Sequence, residues 1–167
     1  MILRKMLFAA AAFAACVVSV QAMAQPVTVA RKQVSPDAAR KMVDACLAYA
    51  EQNNIRVGVA VVDFAGVLID FHVMPGGGPT TAETAILKAK TAAHWQRSTR
   101  DLEEDVRTQR NGASVWIGDF PRVGGLPIVI DGQVAGAIGI GGNAKQEECA
   151  QHAIDTVIGK PPVAAQR

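Results

Sequence analysis

Apolar positions recur along this chain with two different periods, and the change from one to the other marks out its elements. Ala39, Val43, Cys46, Leu47 and Ala50 return at the spacing of a helix with one buried face. Ser35-Pro36-Asp37 supplies its start, with an N-cap, a proline at the first helical position and an acid in the first turn; Asn53-Asn54 ends it. Two strand-like runs, Val57 to Asp63 and Val67 to Val73, flank Phe64-Ala65-Gly66 and predict a hairpin with a short glycine-containing loop. Pro75-Gly76-Gly77-Gly78-Pro79 admits only a loop. Thr80 with Glu83 reads as a capping box for a helix running to about Trp95. Ser98-Thr99 opens another, with Asp101, Glu103 and Glu104 in the first turns, where the helix dipole favours anions. A short apolar patch, Val115-Trp116-Ile117, reads as a third strand. The runs Gly124 to Ile130 and Val134 to Gly142 then meet at Asp131-Gly132, a pair that accepts the positive φ of a tight turn, so they fold back antiparallel. The second run is glycine-rich, which lets another backbone, a helix or a ligand come close. Through Gly141-Gly142-Asn143 the chain enters a last helix, capped by Asn143 and stopped near Ile158 by Pro161-Pro162.

Successive strands joined by hairpins, with helices before, between and after them, predict a single α+β domain over residues 35–160. Its sheet is mostly antiparallel, and the glycine-rich final hairpin is expected to leave space for a guest. Residues 25–34 read as a tether and 161–167 as a tail.

The N-terminus changes the picture of where the domain works. Arg4 and Lys5 precede an apolar stretch from Met6 to Val20 and the small-x-small pattern Ala22-Met23-Ala24, the layout of a secretory signal peptide cleaved before Gln25. The stretch is shorter than the ~20 residues a membrane span needs. A periplasmic or secreted protein is therefore expected. Cleavage removes two cations and leaves fifteen basic against fifteen acidic side chains. That neutral balance gives no reason to expect nucleic acid or an anionic membrane surface as partner. Two cysteines remain, Cys46 and Cys149; an oxidising compartment permits their pairing, but each lies on an apolar helix face, and packing as small hydrophobes is the favoured reading.

Several separated motifs resemble the GlcG/HbpS family of haem-binding-like domains, also found as the C-terminal part of some corrinoid adenosyltransferases. They are Val59-Ala-Val-Val-Asp63 with Gly66, Glu83 to Ala92 with Lys88-Ala89 and Thr91-Ala92, Ser98-Thr99-Arg100, Gly124 to Ile128, Asp131-Gly132, Val134 to Gly142, and Gln146-Glu147-Glu148 with Cys149-Ala150. The resemblance implies a profilin-like fold with a five-stranded antiparallel sheet, a homo-oligomer and, in some secreted relatives, haem or iron binding, with haem degradation proposed within the group. One departure stands out: relatives often carry Arg-Met-Asp-Gly after the second strand, and this chain reads Val73-Met74-Pro75-Gly76.

The candidate chemistry is compatible with a tetrapyrrole. His94 and Trp95 end one helix, with Arg97, Thr99 and Arg100 close behind, a set that offers an imidazole, a flat aromatic and cations for propionates. The same histidine also suits a helix C-terminus on dipole grounds alone. His72 and Met74 provide a second imidazole and a thioether, both known haem ligands; otherwise His72 is an exposed histidine at a strand end. Gly141 and Gly142, at the start of the last helix, offer amides to a carboxylate or propionate. Gly139 to Ala144 imitates a dinucleotide fingerprint, but no parallel βαβ unit can form around it, so nicotinamide is rejected. Cys149 with His152 gives a weak metal pair without zinc-site spacing, and Asp101, Glu103, Glu104 and Asp105 read as a solvated acidic face or a surface for hard cations. Glu83 and Lys88 are the acid–base candidates for an alternative reading, an enzyme or accessory protein acting on a small organic acid.

Overall fold

The structure is a computed structural model, described for residues 28–110 and 117–160. By its contacts the chain falls into two units, Met1–Ala30 and Arg31–Arg167, and every element named below lies in the second. No described helix is long and apolar enough to cross a membrane.

Helix α1 (Pro36–Gln52) begins as its sequence requires, with Ser35 accepting from the Ala38 amide at 3.2 Å and Pro36 at the first position. Strands β1 (Val57–Asp63) and β2 (Leu68–Val73) form the first hairpin, closed by Asp63, whose carboxylate accepts from the amides of Ala65 and Val67 at 2.8 and 2.9 Å. Helices α2 (Thr81–Trp95) and α3 (Thr99–Arg107) follow, then β3 (Gly125–Ile130), β4 (Gln133–Gly142) and α4 (Gln146–Val157). The turn between β3 and β4 has positive φ at both Asp131 (46°) and Gly132 (76°), as a two-residue hairpin turn demands.

All pairings are antiparallel, and the strand order is β2-β1-β4-β3. The described sheet has four strands where the resemblance implied five. Of the expected extra strand, Val115 and Trp116 lie outside the described residues and Ile117 sits in a turn. The central strand β1 is covered on both faces. Val57, Val59 and Val61 join Met42, Val43, Ile138 and Ile140 in a core roofed by α1 and α4, while Ala60 and Val62 meet Ala85, Ala89 and Ala92 of α2.

Three local expectations are corrected. Thr80 makes no side-chain capping bond, its carbonyl instead accepting from the Thr84 hydroxyl at 2.9 Å. The last helix starts at Gln146 behind Lys145, which adopts a left-handed conformation, so Asn143 lies before it and does not cap it. Cys46 and Cys149 are joined in a disulfide, with Cα atoms 5.1 Å apart, in the ordinary range for that bond. Both sulfurs are buried, so the apolar-face reading located them correctly and missed only that α1 and α4 face each other.

The glycine-rich strand is also not a vacant floor. A Cβ built on Gly139 would lie 2.3 Å from both the Ala85 carbonyl oxygen and the Ala89 nitrogen, and one on Gly141 would lie 2.0 Å from the Thr81 carbonyl oxygen. The missing side chains let the alanine-lined face of α2 settle backbone against strand, which fills the space expected for a guest.

Candidate functional site

The polar groups that converge do so at the C-terminal end of α2. His94 lies in the last turn, and Gln96 closes the helix in a left-handed conformation (φ 54°). The Asp119 carboxylate is shared between the two ring systems: one oxygen lies 2.9 Å from His94 Nδ1 and the other accepts from Trp95 Nε1 at 2.6 Å. The side chain of Asp119 is 4% exposed and that of His94 43%, so a buried carboxylate orients an imidazole that still reaches solvent. With Nδ1–H given to Asp119, Nε2 carries the lone pair, the tautomer an iron ligand needs. The Nε2 edge borders the β1–β2 turn, where a Cβ on Gly66 would come within 2.9 Å of it.

Asp119 is held in place by its own segment. The Phe120 amide donates to Thr91 Oγ1 at 2.7 Å, Arg122 pairs with Glu103 at 2.6 Å, and the Val123 amide donates to the same carboxylate at 2.9 Å. Between this segment and α3 opens a cleft of about 380 Å³, lined by Val106, Phe120 and Pro121 together with Arg107, Arg122, Glu103 and Asp119. Apolar walls with cations at the rim suit a flat apolar ring bearing carboxylates.

Trp95 joins His94 as expected, but the other candidates are placed elsewhere. Arg97 is tied to Asp105 at 2.8 Å, and Arg100 to Glu147 at 2.8 Å. Thr99 is fully buried, and its hydroxyl accepts from the Gly125 amide at 2.8 Å, so it fastens β3 to the start of α3 and offers a ligand nothing. His72 is exposed on β2 opposite Val59, on the α1 side of the sheet and at the far end from His94. Met74 is 8% exposed and belongs to the core beneath α1, which removes it as a metal ligand beside His72. Gly141 is covered by α2, whereas Gly142 lines a separate cleft.

The acidic face of α3 is mostly neutralised by arginines: Glu103 by Arg122, Glu104 by Arg107, and Asp105 by both Arg97 and Arg110. Hydrogen bonds from Arg97 and then Arg110 hold the Asp105 carboxyl below its ordinary pKa. Cys149, being in a disulfide, leaves His152 without its supposed partner; His152 instead lies against the Tyr49 ring at 5.2 Å between centroids. Among the described residues no three His, Cys, Asp or Glu side chains gather to hold a metal ion.

Lys88 and Glu83 do not form an acid–base pair, since Glu83 is exposed in the first turn of α2 and Lys88 is buried. The Lys88 ammonium donates to the Ile140 carbonyl at 3.0 Å and to Gln146 Oε1 at 2.5 Å, both neutral acceptors. Burial, reinforced by the nearby Arg122 charge and opposed by Glu103, lowers its pKa from 10.5 to about 8. Asp119 is the residue of this cluster that the sequence did not point to. Its one signal is an acid within the Gly118-Asp119-Phe120-Pro121 turn, and nothing in that spacing points to His94.

Comparison with known proteins identifies the family of the chain. The protein GlcG of Escherichia coli K12 is 37% identical over 95 residues, which is 54% of this chain and 68% of that protein. The crystal structure of HbpS superposes with a TM-score of 0.73 at 28% identity, covering 80% of this chain and 96% of that one. A crystal structure of a PduOC:heme complex gives a TM-score of 0.71 at 25% identity over 75% of this chain and 95% of that one. Residues 34–156, nearly the whole described domain, match the model described as "Haem degrading protein HbpS-like", and the chain belongs to this HbpS-like family.

Proposed function

We propose that the protein is exported, assembles as a homo-oligomer and binds haem or a closely related iron tetrapyrrole at the C-terminal end of α2. The observation that carries this reading is His94, its Nδ1 fixed by the buried Asp119, which also accepts from Trp95 and lines the cleft of Phe120 and Pro121. His94 would supply an imidazole to the iron, the cleft apolar contact, and Arg107 and Arg122 the cations for propionates. Both arginines now pair with carboxylates at the surface, where exchanging one carboxylate for another costs little. When bound, haem would bring redox chemistry at its iron, and His94, Phe120, Pro121 and the two arginines would hold, orient and partly shield it. Family membership and the PduOC:heme complex support the choice of ligand. The disulfide supports export, because such bonds persist in oxidising compartments.

Titrating haemin into the protein lacking residues 1–24 tests the reading. A saturable Soret shift that is lost in His94→Ala and kept in His72→Ala is expected. A titration with no shift, or one that His94→Ala leaves intact, would refute it. Export is checked by sequencing the N-terminus of protein recovered from the periplasm or medium, where Gln25 is expected, and assembly by light scattering, where a mass near that of one chain would count against it.

A further inference from the structure

The opposite end of α2 carries a second cleft, of about 280 Å³, that haem binding does not use. Its walls come from the segment Asn54 to Arg56, the Gly76–Gly78 loop, the first residue of α2, and the link Gly142-Asn143-Ala144 between β4 and α4. Arg56 is unusual in its surroundings. Of the eight described arginines, six pair with a carboxylate and Arg31 lies over the Phe64 ring, whereas Arg56 has only the carbonyl of its neighbour Ile55 at 3.5 Å. A guanidinium in a cleft without a carboxylate of the described chain beside it is open to pairing with an anion from solution. Asn54 and Asn143 add side-chain amides to the same lining, and Gly76 and Gly78 leave the loop backbone uncovered, a Cβ on Gly76 meeting nothing within 4 Å.

The cleft is also built to keep its shape. The buried Lys88 ammonium holds Gln146, the Gln146 amide in turn donates to the Gly142 carbonyl, and Gly142 packs against the Arg56 carbonyl. The link that forms one wall is thus wired to the body of the domain before any ligand arrives, which reduces the ordering cost of binding.

We propose that this cleft is a binding site for a small organic acid, whose carboxylate pairs with Arg56 while Asn54, Asn143 and the Gly76–Gly78 backbone hold the rest. One guanidinium among neutral groups balances one carboxylate; a diacid such as succinate keeps its second charge at its far end, in solvent, whereas a phosphate dianion brings both charges to the same guanidinium. The site is independent of the haem reading. It lies a fifteen-residue helix away from His94, about 20 Å at the helical rise.

The experiment is a titration of the ¹⁵N-labelled protein with succinate and, separately, with inorganic phosphate, following backbone amide signals. Saturable shifts with succinate at Gly76, Gly78, Asn143 and Ala144 are expected, with affinity falling about tenfold in Arg56→Gln and partly restored in Arg56→Lys. Arg56 is exposed and bonded to no other residue's side chain, so these variants keep the fold, which the unchanged remainder of the spectrum will verify. No shift at these amides, or shifts indifferent to Arg56→Gln, overturns the site; tighter binding of phosphate than of succinate overturns its assignment to carboxylates. His94→Ala should leave the succinate titration unchanged and Arg56→Gln the Soret titration, so failure of one reading is distinct from failure of the other.

Discussion

At the scale of single residues, two buried charges do different work. Asp119 is satisfied by an imidazole and an indole, so its effect on any haem bound by His94 passes through the ring it orients. Asp119→Asn keeps an oxygen for Nδ1–H but turns an NH₂ toward the Trp95 N–H; with the carboxylate gone, haemin affinity should fall about tenfold or more. A Soret titration measures this, and an affinity equal to that of the native protein would show that the carboxylate does not matter. Lys88 carries a charge that burial disfavours, with its pKa lowered to about 8 in the fold. Between that value and the ordinary 10.5 the unfolded chain holds a proton that the native one has released. The contribution of Lys88 to stability therefore rises with pH across this window, is complete above it, and is lost as pH falls toward 8. Urea unfolding of the native protein and of Lys88→Met at pH 7.5 to 10.5 (about the window those values set) should show the native curve gaining relative to the variant. Parallel curves would mean that the lysine is not desolvated as the fold implies.

At the scale of elements, the contact between α2 and β4 decides where ligands can go. Alanines on the helix and glycines on the strand bring the two backbones together, so the sheet face under α2 is closed and both clefts lie at the helix ends. Gly139→Ala puts a methyl group against the backbone of Ala85 and Ala89, which cannot swing aside as a side chain would. Overpacking of this kind should cost roughly 3 kcal/mol. Gly78→Ala, whose Cβ would have the Thr81 hydroxyl at 3.7 Å as its nearest neighbour, should change stability by less than about 0.5 kcal/mol. Chemical denaturation of the pair is the check, and equal stabilities would mean that α2 has room to lift off the sheet.

At the scale of the whole molecule, the disulfide ties the first helix to the last. Cys46 and Cys149 are 103 positions apart, so the bond closes almost the entire domain into one loop. Restricting so long a loop in the unfolded chain is worth roughly 2–5 kcal/mol. The Cys46→Ala/Cys149→Ala variant should lose about that much in urea unfolding, and reduction of the native protein should cost a similar amount once unfolding exposes the buried sulfurs. A variant as stable as the native protein would make the bond dispensable.

What the sequence determined by itself was mostly local, two helix caps excepted: Thr80 makes no side-chain capping bond and Asn143 lies before α4. Period, caps and turn residues placed both hairpins, the four described helices and the α+β class, because each depends on neighbours within a few positions: Ser35-Pro36 at a helix start, Asp131-Gly132 at a turn. The end of α2 was also legible as far as His94 and Trp95, which share one helical turn. Tertiary structure alone decided which distant groups meet. It sent Thr99 and Met74 inward, split His72 from His94, closed the glycine strand with α2, brought Cys46 to Cys149 and set Asp119 between an imidazole and an indole. The reason is physical: composition says that a glycine admits close approach or that a cysteine sits on an apolar face, but which partner arrives is settled by how the helices dock on the sheet.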